Sequence, residues 1–123
     1  KYHLTGARGL AISGYDIVLL DGINKLKEFT KILDFETSCI LLLFYYISIL
    51  DDTNIVNRTN LETLKEIQIL CKNLYEENSK SLSKEKIRNE MSKLNDIFIE
   101  KNISAGGSAD LLILTIFIYL IKL

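Results

Sequence analysis

Two apolar stretches constrain this chain most. Residues 39–50 (CILLLFYYISIL) and 111–121 (LLILTIFIYLI) run twelve and eleven residues with almost no polar side chain. A bilayer span takes about 20 residues, so both read as core elements and not as membrane segments. A helix that is apolar on nearly every side has to be buried on most of its surface. The β-branched and aromatic content of 39–50 would also suit a strand, but the run is long for one. Proline is absent, and the six glycines are confined to a few places. That punctuation fits helices broken by short polar joints.

The rest of the chain agrees with an all-α reading. Residues 1–14 have no clear period and read as a loop or short helical turn. Within 15–30, Ile17, Leu20, Ile23, Leu26 and Phe29 fall three apart, a helical stripe that Gly22 weakens. Asp34 is placed to cap a helix over 35–50. Residues 51–59 form a polar joint, and Thr59 or Asn60 caps the next helix. There Leu61, Leu64, Ile67, Cys71, Leu74 and Tyr75 share one face, with Glu62, Lys65, Glu66 and Lys72 opposite. Residues 76–82 read as a charged, serine-rich connection. Ser83 caps a helix over 84–101, which Asn102 ends. Ser108 opens the last helix. The expectation is a bundle of about five helices, with 35–50 and 111–121 at its centre.

Composition narrows the function classes. A chain that is 48% hydrophobic and 25% charged can bury enough surface to order itself. Fifteen Lys+Arg against sixteen Asp+Glu leave no cationic surplus for nucleic acid. Cys39 and Cys71 lie in apolar periodic segments and read as buried thiols of a reducing compartment, which implies a cytoplasmic protein. His3 is the only histidine. A Ser-His-Asp constellation, a zinc cluster and a Walker-type lysine are all missing from the sequence.

Three segments could carry chemistry. Gly106, Gly107, Ser108 and Asp110 stand at the entry to a buried helix. Glycines permit close approach of a ligand and positive φ, and a helix start favours anions such as phosphate. The same residues also suit a plain joint with a Ser cap and an Asp favourable to the helix dipole. Asp51, Asp52 and Asn54 are hard oxygen donors that suit Mg²⁺ bridged to phosphates. Arg58 beside them can hold a phosphate bidentately. The plain alternative is a solvated loop with an Asx turn. Thr5 and Arg8, in TGARG at 5–9, can contact an anion or simply make a turn.

TGARG at 5–9, SGY at 13–15, DTN at 52–54 with Arg58, and SAGGSADLLILT at 104–115 resemble, in order and spacing, the C-terminal half of the triphosphoribosyl-dephospho-CoA synthase family. The resemblance implies an all-α enzyme that moves the triphosphoribosyl group of ATP to the 2′-hydroxyl of 3′-dephospho-CoA and releases adenine. The product is the prosthetic-group precursor of the acyl carrier of citrate lyase or malonate decarboxylase. It implies Mg²⁺, with Asp51, Asp52, Asn54 and Asp110 as ligands, and Asp51 or Asp52 as the base. Thr5, Arg8, Arg58, Gly106, Gly107 and Ser108 would contact substrate or phosphate. Departures are Leu10 where an acid is usual, Asn57 for a histidine and Ala105 for a proline. They keep open a catalytically inactive helical nucleotide-binding or interaction module of the same fold. A helical phosphohydrolase using the Asp pair is a third reading. The chain begins with Lys1, and the family is more than twice this length. A half-bundle is expected to expose an apolar patch and to associate with an N-terminal half or with itself.

Overall fold

The computed structural model describes residues 8–121, and the side chains of all of these except residues 8–15 and Arg58. Among the described residues there are six helices and no strand: α1 (Arg8–Phe29), α2 (Phe35–Ile49), α3 (Thr53–Arg58), α4 (Leu61–Ser81), α5 (Lys84–Lys101) and α6 (Gly106–Ile121). The all-α reading holds. None of these helices is long and apolar enough to cross a membrane.

Helix α2 is the axis of the molecule, packing on α1, α4, α5 and α6. It has no polar face because two clusters claim its two sides. Leu41, Phe44 and Ile47 join Leu64, Ile67 and Cys71 of α4 and Ile87 and Leu94 of α5. Cys39, Leu42 and Tyr46 join Leu26 of α1 and Leu111 of α6. Both cysteines are free and buried. Burial pushes the thiol of Cys39 up to about 11 and that of Cys71 up to about 12.

Caps set the boundaries where the sequence put them. Thr37 N donates to Asp34 Oδ2 (3.3 Å), Thr63 N to Asn60 Oδ1 (2.7 Å) and Lys86 N to Ser83 Oγ (3.3 Å). The Thr37 side chain, then the Thr37 amide and the charge of Lys84, hold the Asp34 carboxyl down at about 2. Asn102 ends α5 with φ 54°, a left-handed conformation that asparagine tolerates.

Four expectations are corrected. Helix α1 starts at Arg8, so residues 8–14 are helical despite Gly9 and Gly14. The joint at 51–59 contains α3, because Asp52 caps it and Ile55 is fully buried beneath it. Residues 76–81 continue α4, whose end is the left-handed Leu82. Charged and serine side chains on an outer face do not stop a helix already under way. Finally, α6 is not central. It buries Ser108, Leu111 and Thr115 and leaves Ile113, Leu114, Phe117, Leu120 and Ile121 exposed.

Gly22 has a packing reason to exist. A Cβ there would overlap the hydroxyl oxygen of Tyr46 and lie 2.8 Å from its Cζ. Tyr46 is fully buried, with its hydroxyl 2.6 Å from Thr115 Oγ1, a bond that ties α2 to α6. Gly22→Ala gains about 1 kcal/mol of helix propensity and loses roughly 2–4 kcal/mol to overpacking and the disturbed hydrogen bond. Thermal unfolding followed by circular dichroism is expected to show net destabilisation of about 2 kcal/mol. A variant as stable as the parent sinks this account.

Candidate functional site

The start of α6 does not end in solvent. Asp52, only 3% exposed, reaches it from the loop between α2 and α3. Its Oδ2 accepts from Ser108 N (2.9 Å) and Ser108 Oγ (3.1 Å). Its Oδ1 accepts from Asn54 N (3.0 Å) and Asn54 Nδ2 (3.2 Å). One carboxylate therefore makes an Asx turn, caps α3 and caps α6. Those four bonds use the four acceptor positions that a carboxylate offers. The chain makes this arrangement locally, through the Asp-x-Asn spacing. It closes it globally, by bringing residue 108 beside residue 52.

Ser108 accordingly does not open α6. The helix begins two residues earlier, at Gly106, and the hydroxyl of Ser108 is turned back to Asp52. Both glycines of the pair are helical and neither has positive φ. At Gly106 the value is space. A Cβ there would come 2.8 Å from Asn54 Nδ2, whereas one on Gly107 would sit at an ordinary 3.4 Å from the Asp52 carboxylate. Gly106 lets α6 seat against the Asp52–Asn54 turn.

In front of this turn lies a cavity of about 600 Å³. Asp16 and Leu19 of α1 line it, with Leu50, Asp51, Asp52 and Thr53 from the α2–α3 joint, and Gly107, Asp110, Leu111 and Leu114 of α6. The lining mixes four leucines with four carboxylates, and each of the three stretches supplies both. Asp16, Asp51 and Asp110 are exposed. Asp51 Oδ1 accepts from Gln68 Nε2 (3.2 Å), which also donates to the carbonyl of Leu50 (2.7 Å). Among the described residues no lysine or arginine lines the cavity, and no three His, Cys, Asp or Glu side chains are grouped to hold a metal.

Of the residues singled out in the sequence, Asp51, Asp52, Gly107 and Asp110 meet at this cavity. Asn54, Gly106 and Ser108 stand behind it as packing and capping partners. Thr5 and the side chains of Arg8 and Arg58 lie outside the described residues. Sequence reasoning missed Asp16 and the lining leucines Leu19, Leu50, Leu111 and Leu114. Asp16 directly follows the SGY segment, and that adjacency was the available signal.

A model of the ATP:dephospho-CoA triphosphoribosyl transferase family matches residues 1–123. A "Probable 2-(5''-triphosphoribosyl)-3'-dephosphocoenzyme-A synthase" of Streptococcus equi subsp. equi is 31% identical over 116 residues, covering 94% of this chain and 38% of the relative. A protein of the same name from Streptococcus mutans is 30% identical over 118 residues, covering 95% and 39%. Protein CitXG of Haemophilus influenzae is 36% identical over 119 residues, covering 95% and 25%. The chain thus spans about two fifths or less of the relatives it matches. No solved structure matches it.

Proposed function

The chain belongs to the ATP:dephospho-CoA triphosphoribosyl transferase family, and on that footing we propose that its cavity is part of the site where the triphosphoribosyl group of ATP passes to the 2′-hydroxyl of 3′-dephospho-CoA. One observation carries the reading. Three separated stretches, around residues 16, 51–53 and 107–110, converge on one cavity. They overlap or directly adjoin three of the four segments, 13–15, 52–54 and 104–115, that resemble the family's pattern.

The chemistry asks for what the cavity offers. The bond from ribose C1′ to adenine breaks, and adenine leaves with the electron pair and takes up a proton. The 2′-hydroxyl of the acceptor forms the new bond to C1′ and gives its proton to a base. The transition state carries positive charge on the sugar, which nearby carboxylates stabilise, as in glycoside hydrolysis. Asp51 and Asp110 are the groups we place there, as base and charge stabiliser. The lining leucines limit the water that would compete with the acceptor hydroxyl.

Carboxylates facing a triphosphate need a cation between them. The donor set fits Mg²⁺, which usually takes one or two carboxylates and completes its shell with waters and phosphate oxygens. Asp110, with Asp16 beside it, would hold it and leave Asp51 as the base, and it would neutralise phosphate charge. Asp52 has no acceptor position left and holds Asp51 and the start of α6 in place. Thr5, Arg8 and Arg58 are proposed phosphate contacts, and the acyl carrier of citrate lyase or malonate decarboxylase is the proposed destination of the product. A cytoplasmic location is proposed with them.

The test is to incubate the protein with Mg-ATP and 3′-dephospho-CoA and follow free adenine by chromatography. Adenine equal in amount to the new triphosphoribosyl product is expected. Mg-ATP binding without adenine would favour the inactive module instead. Inorganic phosphate in place of adenine would favour the hydrolase.

A further inference from the structure

The outer side of α6 is an apolar stripe without a partner. Ile113, Leu114, Phe117, Leu120 and Ile121 are all exposed, Phe117 at 61% and Ile113 and Ile121 both at 64%. Helix α1, which packs on α6, adds the exposed Ile17 and Leu20. No charged residue interrupts α6 from Leu111 to Ile121.

The stripe is symmetric about its middle. Ile113 and Ile121 lie four residues either side of Phe117, and Leu114 and Leu120 lie three either side. An isologous interface needs this kind of self-complementarity, since the same patch must serve both subunits. If two α6 helices cross antiparallel at Phe117, isoleucine meets isoleucine, leucine meets leucine, and phenylalanine meets itself. We propose that this face binds a second copy of the chain, forming a two-fold dimer centred on Phe117.

Three further points favour a second copy. From their fractional exposures, the five α6 side chains present on the order of 500 Å² of surface, toward the upper end of the ~300–600 Å² patch a monomer typically carries and more than half of the ~800 Å² per partner of a standard interface. Antiparallel crossing also sets the two helix dipoles head to tail. It places the two copies of Asp110, seven residues from Phe117, at opposite ends of the seam. At a rise of about 1.5 Å per residue they stand roughly 20 Å apart, beyond the Debye length of physiological salt. A parallel pairing would set them side by side. Leu114 belongs both to the stripe and to the cavity wall, so the second copy would border the cavity.

Sedimentation of the unmodified protein at micromolar concentration is expected to give twice the 14.1 kDa chain mass. Phe117→Asp sets two carboxylates together at the axis and is expected to raise the dimer dissociation constant roughly 30-fold or more, as loss of a central anchor does. Cysteine substitutions test the register even if that variant folds poorly. Phe117→Cys should cross-link to itself on oxidation. Ile113→Cys should not, because its two copies would lie about 12 Å apart along the seam. Cys39 and Cys71 are buried and do not compete. A monomer across the micromolar range, a dimer indifferent to a folded Phe117→Asp, or self-cross-linking through Ile113→Cys as readily as through Phe117→Cys would each overturn the proposal.

Discussion

Asp52→Ala is expected to cost about 3 kcal/mol of stability and to loosen the first turn of α6 before the rest of the bundle. The carboxylate is buried and accepts four hydrogen bonds from two residues. Removing it deletes the α3 cap, worth about 1 kcal/mol. It also leaves the amide and hydroxyl of Ser108 without their charged acceptor, worth roughly 1.5–3 kcal/mol. Asp52→Asn is a sharper probe. It keeps one oxygen, but its amino group must face either the donors of Ser108 or those of Asn54, so it too should lose about 2 kcal/mol. Denaturant midpoints give the totals, and amide exchange of residues 107–110 locates the loss. A change within about 0.5 kcal/mol would place Asp52 among ordinary surface positions and sink the double-cap account. The mutant also separates positioning from ligation. If Asp52 positions the site, Mg-ATP affinity should fall only in step with the loosening of α6. Lost affinity at undiminished stability would return Asp52 to the role of a direct ligand.

The two ways of reading Asp52 show where sequence patterns stop. The Asp-x-Asn spacing makes an Asx turn legible, because that bond spans two residues. The bond to Ser108 spans 56 and exists only after α6 has docked. Helix caps at Asp34, Asn60, Ser83 and Asn102 were readable for the same reason, being local bonds with known residue preferences. Helix α3 was hidden because a six-residue segment with two apolar side chains shows no period. The position of α6 was hidden because an all-round apolar helix signals that it will be covered without signalling by what. Asp16 was missed because its membership in the cavity is made by α1 running beside α6, and only its place directly after the SGY segment hinted at that. The convergence of residues 51–53 with 107–110 was anticipated only through the ordered family-like segments.

The largest functional effect is expected from Asp51 and Asp110. Both are exposed, line the same cavity and come from different elements. Asp51→Asn and Asp110→Asn preserve side-chain shape and remove charge, so stability should stay within about 0.5 kcal/mol of the parent. Positioned acid–base groups contribute roughly 10²–10⁴-fold to rate. Each single variant is therefore expected to slow adenine formation by about 10²-fold or more. The two roles separate by magnesium dependence. A variant that has lost a metal ligand needs more Mg²⁺ for half-maximal rate and recovers part of it at saturation. A variant that has lost the base keeps its Mg²⁺ requirement and stays slow at every concentration. Asp51 is the better candidate for base, since it lines the cavity and Gln68 fixes one of its oxygens. Gln68→Leu should then reduce rate through misorientation, by less than Asp51→Asn, with Mg-ATP affinity unchanged. Should the double variant Asp51→Asn with Asp110→Asn keep more than half the parent's rate and affinity, these carboxylates are only a solvated rim. The reacting sugar would then have to sit elsewhere in the molecule.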